Sequence, residues 1–315
     1  MQFPFRRIVA PLGFIFFLAG AFFLMSVLDT ASAAPSGNVC LLSSTVSERS
    51  CQASAQSDFW NALATCYNLS DASARKACQQ QAQADQKDAL QSCDDQNDAR
   101  DRVCRQLGGA AYDPKIDSTK FSGTLTNQYL AYTTGTTFVY ESNLGQHNEV
   151  VVTNNTRNIL GADCREVHDT VKVNGDLTED TLDWFCQDPD GNVWYFGENS
   201  KELQDGLIVS LEGSWTGGID GAKPGIAMKA NPKVGDVYRQ EFLPGVAEDI
   251  AEVLSVTETI TLPGFGTMIN CIKTKETTPL EPDALENKFY CPGVGLVRDV
   301  DLQTGEVLDL VSKTP

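Results

Sequence analysis

The segment between Trp184 and Glu198 places aromatic rings beside carboxylates. Aromatic rings bury a large apolar area and can stack on a bound molecule, while carboxylates hold polar or cationic groups. The residues predicted to bind a ligand are Trp184, Trp194, Tyr195, Asp188, Asp190 and Glu198. Because such rings more often pack into a protein core, the competing interpretation of this cluster is structural.

Paired carboxylates also allow a second chemistry, the hydrolysis of glycosidic bonds by a general acid and a second carboxylate. The acids that could form such a pair are Asp183, Asp188, Asp190, Glu198, Glu248 and Asp249. Acidic side chains on the solvated faces of strands explain the same pattern. No catalytic residue is therefore assigned, and a secreted hydrolase remains the alternative to a binding protein.

Two further motifs are weighed and rejected. The segment Cys186–Gly191 resembles a calcium-binding loop, but a cysteine occupies the first ligand position and Gly197 occupies the twelfth. His168 and Asp169 could serve as a base and its orienting acid, but no Gly-x-Ser-x-Gly sequence supplies a nucleophile. The sequence predicts no metal and no cofactor.

The strongest pattern belongs to the first six cysteines, Cys40, Cys51, Cys66, Cys78, Cys93 and Cys104. Their separations of 11, 15, 12, 15 and 11 residues read the same from either end. In an antiparallel hairpin, residues at equal distance from the turn face each other, so the pairs 40–104, 51–93 and 66–78 are predicted. With no C-x-x-C pair and no histidine in this segment, zinc binding is disfavoured.

The arms of this hairpin are predicted to be helices over Glu48–Tyr67 and Ala72–Leu107, because neither range contains proline or glycine. Ser70 is the predicted N-cap of the second helix. Few large apolar residues are available for a core, so the disulfides must supply much of the stability, at about 2–4 kcal/mol each.

After Leu107 the composition becomes typical of strands, with turn signals such as Asn174-Gly175 every ten to fifteen residues. An antiparallel meander of roughly ten to twelve strands is predicted, as a sandwich or an open half-barrel. Its first short strands are placed at Tyr129–Tyr132, Thr136–Glu141 and Asn148–Thr153. Hairpin symmetry about Asn174-Gly175 pairs Cys164 with Cys186, and symmetry about Glu281 pairs Cys271 with Cys291.

The N-terminus predicts export. Arg6 and Arg7 precede an apolar run, and Ala31-Ser32-Ala33 matches a signal-peptidase site. An uncleaved anchor is the alternative; after cleavage no membrane span is expected, and the residues before Cys40 do not match a lipidation site. The predicted mature chain has 22 basic and 41 acidic residues, a balance that excludes nucleic acid as a partner.

Several stretches of the second half resemble a set of uncharacterised secreted bacterial proteins, loosely similar to TapB-like β-domains. They include Asp190–Glu198, Tyr238–Phe242, Pro244–Asp249, Thr278–Pro282 and Pro292–Val297. The resemblance covers most of residues 121–312 and none of the cysteine-rich segment. It implies an exported β-domain and no particular activity.

The predicted organisation is therefore a signal peptide (1–33), a disulfide-stapled helical hairpin (40–107), a linker (108–120) and a β-domain (121–315). The predicted function is a non-enzymatic one outside the cytoplasm, in the periplasm or beyond it: binding, carrying or displaying a small molecule, glycan or protein. Besides the hydrolase, the remaining alternative is a structural stalk or assembly protein. These functions rest on analogy at the level of the fold.

Overall fold

The computed structural model describes residues 37–130 and 132–315. The predicted signal peptide lies outside the described residues. Two long helices come first, α1 over Val39–Tyr67 and α2 over Ala72–Leu107. Helix α1 starts nine residues before the predicted Glu48, because the Asn38 side chain accepts a hydrogen bond from the backbone N–H of Leu41 (2.9 Å) and caps the helix.

The N-cap of α2 is Asp71, so the prediction of Ser70 is wrong by one residue. The Asp71 carboxylate accepts a hydrogen bond from the backbone N–H of Ala74 at 2.7 Å. A carboxylate at this position also interacts favourably with the positive end of the helix dipole, which a neutral serine does not.

Disulfides hold α1 against α2. They link Cys40 to Cys104, Cys51 to Cys93 and Cys66 to Cys78, which are the pairs that the palindromic spacing predicts. The paired Cα atoms are 5.6, 5.7 and 5.5 Å apart, within the range of about 4.4–6.8 Å that disulfides require. Small residues such as Ala55 and Ala82, both buried, allow this approach.

A short 3₁₀ helix (Ser118–Lys120) leads into an antiparallel sheet of fifteen strands. The first eight strands are β1 (Thr137–Ser142), β2 (Gln146–Ile159), β3 (Ala162–Val173), β4 (Asp176–Gln187), β5 (Val193–Gln204), β6 (Leu207–Ser210), β7 (Trp215–Thr216) and β8 (Lys223–Met228). The remaining seven are β9 (Val237–Arg239), β10 (Glu241–Phe242), β11 (Ile250–Leu262), β12 (Gly266–Thr278), β13 (Glu281–Cys291), β14 (Gly295–Asp301) and β15 (Val307–Thr314).

The sheet consists of two meanders, β1–β5 and β11–β15, joined where β1 pairs with β15. Its two outermost strands are β10, beside β8, and β9, beside β11. These two strands are neighbours in the chain and are separated by Gln240 alone, so the sheet curls until its edges meet there. A Cβ at Gly225 would lie 2.3 Å from the carbonyl carbon of Gln240, so only glycine allows this closure.

Two disulfides link neighbouring strands of the sheet, Cys164 to Cys186 and Cys271 to Cys291, again the pairs that hairpin symmetry predicts. Asn174 and Gly175 both have positive φ (54° and 93°), as a two-residue type I′ hairpin turn requires.

The predicted fold class is confirmed: of the two predicted forms, a sandwich or an open half-barrel, the single curled sheet matches the half-barrel. Two details of the predicted β-domain are wrong. The sheet has fifteen strands instead of ten to twelve. The predicted strand at Tyr129–Tyr132 lies outside the fifteen strands, because the Asn127 carboxamide oxygen accepts hydrogen bonds from the backbone N–H groups of Tyr129 (2.8 Å) and Leu130 (3.2 Å) and turns the chain.

The curled sheet buries apolar side chains on both faces. Its inner face contains the main core, which includes Phe138, Val150, Phe185, Tyr195 and Leu296. A smaller cluster, which includes Trp184, Cys186 and Phe196, lies on the outer face of β3–β5. Ile116 and Phe121 of the segment before the sheet pack over this outer cluster.

Candidate functional site

Along β4 and β5, the side chains on the inner face of the sheet change from apolar to acidic. On β4, Phe185 lies next to the disulfide-bonded Cys186, whereas Asp183, Thr181 and Glu179 follow toward the opposite end. On β5 the partners have the same order: Tyr195 pairs with Phe185, Glu198 with Asp183, and Ser200 with Thr181. The interior therefore has an apolar end, near the sheet disulfides, and an acidic end.

Aromatic rings form the apolar end. The rings of Phe185 and Tyr195 stack with their centroids 4.8 Å apart, and Trp215 meets Tyr195 edge-on at 5.4 Å. The Tyr195 hydroxyl donates a hydrogen bond to Oδ1 of Asp183. This contact joins the aromatic end directly to the first carboxylate of the acidic end.

Acidic side chains from around the whole sheet form the other end. The buried carboxylates among the described residues are Asp169, Glu179, Asp183, Glu198, Glu241, Glu248, Asp249, Glu276, Glu286 and Asp299. The buried basic side chains in the same ranges are Arg100, Arg239 and Lys288. Arg100, Arg239 and Glu248 meet at the contact with the hairpin, so the other nine carboxylates have Lys288 as the one buried cation beside them among the described residues. This interior therefore has a large excess of potential negative charge.

The positive charges are distributed unevenly among these acids. The Lys288 ammonium lies 2.9 Å from Glu276 and 3.0 Å from Glu286. Although burial raises the pKa of Glu276, the Lys288 ammonium outweighs burial and holds it below its usual value. Burial raises the pKa of Glu286 to about 7 despite the same lysine.

Asp183 and Glu198 form no ion pair with a basic side chain among the described residues, and they face each other on the neighbouring strands β4 and β5. Burial raises the pKa of Glu198 well above its usual value, and the negative charges of Asp183 and Glu179 add to this effect. Burial also raises the pKa of Asp183. Oε1 of Glu198 has no hydrogen-bond partner among the described groups, although the residue is only 5% exposed.

The acidic end lies beneath a cleft of about 840 Å³ between the helical hairpin and the sheet. Loops that continue the acidic strands form its rim: Gly213 and Ser214 after β6, Gly245 before β11, and Leu280 between β12 and β13. A Cβ at Gly213 would lie 3.8 Å from Oε1 of Glu198, so the buried, unpartnered oxygen lies just behind the rim of the cleft.

Helix α2 forms the facing wall and is anchored by a buried ion pair. The Arg100 guanidinium contacts both oxygens of Glu248 at 2.9 Å through Nε, and Glu248 also accepts a hydrogen bond from the backbone N–H of Gly245 (2.7 Å). Farther along α2, the Gln96 side chain donates to the carbonyl of Leu280 at 3.0 Å. These bonds fix the hairpin over the acidic end.

The structure separates the predicted ligand-binding residues into two groups. Tyr195 and Glu198 lie in the interior, whereas Trp184 and Trp194 belong to the outer cluster. Phe121 meets Trp194 edge-on at 5.9 Å, and the Arg157 guanidinium lies 4.1 Å from the Trp184 ring. The aromatic residues therefore do not form one continuous face.

The carboxylates of the predicted calcium-like segment support a turn. Asp188 accepts hydrogen bonds from the backbone N–H of Asn192 (2.9 Å) and from Nε1 of Trp194 (2.8 Å), while Asp190 is exposed. Within residues 37–130 and 132–315, no group of three or more His, Cys, Asp or Glu side chains is arranged to hold a metal ion.

His168 and Asp169 point to opposite faces of β3, as successive strand residues must. Nε2 of His168 lies 2.7 Å from Oδ1 of Asp180, whereas Asp169 is 2% exposed in the interior, where burial and then Asp183 raise its pKa. Asp169 therefore does not orient His168, and the two residues do not form the predicted base and orienting acid.

Sequence analysis missed most of the acidic end, including Asp169, Glu179, Glu241, Glu276, Glu286, Lys288 and Asp299. One usable signal exists in β4, where Leu182 and Trp184 on one face and Phe185 on the other are all apolar. A strand that is apolar on both faces has no solvated side, so an acid such as Asp183 within it must be buried.

No protein-family model matches the chain. No curated protein matches it either. A solved structure that resembles it is described as a "putative lipoprotein" from Parabacteroides distasonis, with 15% sequence identity and a TM-score of 0.33 over 60% of this chain and 99% of that one. A likeness this slight defines no function. Among the described helices, none is long and apolar enough to cross a membrane.

Proposed function

We propose that the chain is an extracytoplasmic binding protein that holds an organic cation at the acidic end of its curled sheet. The single observation that carries this proposal is the facing pair of Asp183 and Glu198, both buried, both with a raised pKa, with one oxygen of Glu198 unpartnered. Five disulfides and no free cysteine among the described residues support an oxidising compartment.

The physical argument concerns the cost of buried charge. A buried carboxylate is unfavourable unless it is protonated, hydrogen-bonded or paired with a cation. An ammonium group supplies both the opposite charge and several hydrogen-bond donors. A bound amine would therefore offset the repulsion between Asp183 and Glu198, which form no ion pair with a basic side chain among the described residues.

The ligand class follows from the neighbours of the acidic pair. Tyr195 connects Asp183 to the stacked ring of Phe185, so a cation bound at Asp183 lies beside an apolar surface. An amine with an apolar chain can pair with the carboxylates through its ammonium group and pack on the aromatic rings through its chain. A bare metal ion can only pair with the carboxylates. Gly213 lines the cleft beneath the hairpin and lies beside Glu198, so the proposed route to the acidic pair runs from this cleft.

Isothermal titration calorimetry with octylamine and spermidine as probes tests this proposal. We expect octylamine to bind, and Glu198→Gln to weaken it tenfold or more, because hydrogen bonds to charged groups contribute about 1.5–3 kcal/mol. The exposed acid Asp190 provides the matched control, and Asp190→Asn should leave the affinity unchanged. The absence of binding by the unaltered protein, or equal binding by Glu198→Gln, would contradict the proposal.

The same pair also supports a second candidate, the hydrolase. Directly opposed cross-strand side chains have Cβ atoms about 4.5–5.5 Å apart, which suits two carboxylates acting on one bond. Turnover of a glycoside or ester by the purified protein, reduced 100-fold or more by Glu198→Gln, would favour this candidate. Amine binding without turnover favours the binding protein.

A further inference from the structure

A second cavity of about 210 Å³ lies where the start of α1 and the end of α2 meet β9 and β10. Two arginines from different parts of the fold, Arg100 of α2 and Arg239 of β9, both line it. They are 5% and 7% exposed, and Nη1 of each has no hydrogen-bond partner among the described groups. Buried guanidinium donors without partners are unfavourable, so this pair indicates a missing acceptor.

The charge in the cavity favours one negative group. Glu248 pairs with Arg100 through both of its oxygens. Among the described residues, the side chain of Arg239 makes one hydrogen-bond contact, a long one of 3.9 Å from Nη2 to Sγ of Cys40. Its guanidinium lies 4.5 Å from the Phe242 ring and 5.7 Å from the Tyr112 ring. Two guanidiniums and one carboxylate leave a net charge of about +1, which a monoanion neutralises.

The apolar lining and the volume of the cavity indicate the uncharged part of the ligand. Apolar side chains of Val39, Leu107, Ala110, Phe242 and Pro244 line the cavity, together with the hydroxyls of Ser43 and Ser47. A cavity of about 150 Å³ accommodates benzene, so about 210 Å³ suits a ring or short chain that carries one carboxylate. A fully hydrated phosphate would leave these apolar walls without a partner.

We infer that this junction cavity binds a small monocarboxylate with a short apolar group, through the free guanidinium edges of Arg239 and Arg100. The planar guanidinium matches a carboxylate in geometry as well as in charge. The site lies at the contact between the hairpin and the sheet, so its ligand would also strengthen that contact. This inference does not depend on the proposed cation site.

Titration calorimetry of the whole purified protein with sodium benzoate tests the inference, with sodium hexanoate and inorganic phosphate as further probes. We expect benzoate and hexanoate to bind, and Arg239→Gln to weaken them tenfold or more. The matched control is Arg102→Gln, which alters an exposed arginine two residues after Arg100 on the same helix and should change nothing.

A second variant covers the case in which Arg239→Gln fails to fold. Ser43→Leu leaves both arginines in place and fills the cavity from half-buried Ser43 on α1, so it should abolish benzoate binding while the melting temperature stays near that of the unaltered protein. Benzoate affinity unchanged by Ser43→Leu, or no benzoate binding by the unaltered protein, would overturn the site. Phosphate binding in place of benzoate would overturn the assignment to a carboxylate.

Discussion

The helical hairpin and the curled sheet are stabilised by different means. Helix α1 buries only Ser44, Ala55 and Cys66, and the hairpin is closed by three disulfides. The sheet and the segments packed on its inner face bury a continuous core of thirty side chains among the described residues, and two disulfides lie at its apolar end. Covalent bonds therefore replace the hydrophobic core where the chain has too few large apolar residues to form one.

The difference matters for function because the hairpin forms one wall of both cavities. Its position over the sheet depends on polar contacts, chiefly the Arg100–Glu248 ion pair and the bond from Gln96 to Leu280. A stiff, covalently closed hairpin can hold these groups in place without a core of its own. The sheet supplies the buried acids, and the hairpin covers them.

Reduction should separate the two regions most clearly. We expect dithiothreitol to remove most of the helical circular dichroism signal, while the sheet keeps a cooperative thermal transition, because loss of a native disulfide costs a small domain about 2–5 kcal/mol. Far-ultraviolet spectra and melts before and after reduction measure this. A hairpin that stays helical and cooperative when reduced would show that the disulfides are not its main source of stability.

Breaking the ion pair should test how the regions are joined. Arg100→Leu leaves Glu248 buried without its partner and should cost about 3–5 kcal/mol in urea unfolding, whereas Arg100→Leu combined with Glu248→Leu should recover most of that loss. Arg102→Leu, at an exposed position of α2, is the control. Equal effects of Arg100→Leu and Arg102→Leu would mean that the pair contributes nothing to docking.

The buried acids of the sheet should give it an unusual dependence on pH. A carboxyl whose pKa is raised on folding stabilises the protein fully below its unfolded pKa, and this contribution is lost as pH rises through the folded pKa. For Glu286 that window runs from its usual 4.5 to about 7. The melting temperature of the oxidised protein should therefore fall as pH rises across this range, and Glu286→Gln should flatten the slope.

Asp190→Asn, at the exposed turn, should keep the original slope in the same series of melts. A melting temperature that rises from pH 4.5 to 7 in the unaltered protein would mean that the interior acids are neutralised by partners in the folded chain. That result would remove the main support for a cation site.

The smallest effect concerns the turn between β4 and β5. Asp188→Ala removes acceptors for Asn192 and Trp194 and should cost about 1 kcal/mol of the free energy of unfolding, while Asp190→Ala should stay within about 0.5 kcal/mol. Urea denaturation distinguishes the two. Equal costs would show that the hydrogen bonds accepted by Asp188 contribute nothing measurable to the stability of the turn.

The hairpin was predictable because the spacing of its six cysteines along the sequence determines how its two helices pair. A palindrome of cysteine spacings has one antiparallel solution, and it also predicts the pairs that close it. The strand pairs around Asn174-Gly175 were predictable for a similar reason, since that dipeptide favours one type of turn.

Apart from the signal in β4, the acidic end was not predictable, because alternation does not say which face of a strand is solvated. Asp183 and Glu198 read as residues of a polar outer face, but the sheet curls, and that face becomes the interior. The curl depends on β9 and β10 pairing with strands at opposite edges, a long-range arrangement that no local pattern around Gln240 specifies. For the same reason, the sequence around Arg239 does not indicate that this residue and Arg100 line the same cavity.

A crystal structure of the purified protein with octylamine bound tests the central claim most directly. The account predicts the ammonium nitrogen within about 2.7–3.2 Å of a carboxylate oxygen of Glu198 or Asp183, with the alkyl chain directed toward Phe185 and Tyr195. An octylamine bound on the outer face near Trp194, or an interior in which Glu198 is satisfied by the chain's own groups and octylamine is absent, would contradict it.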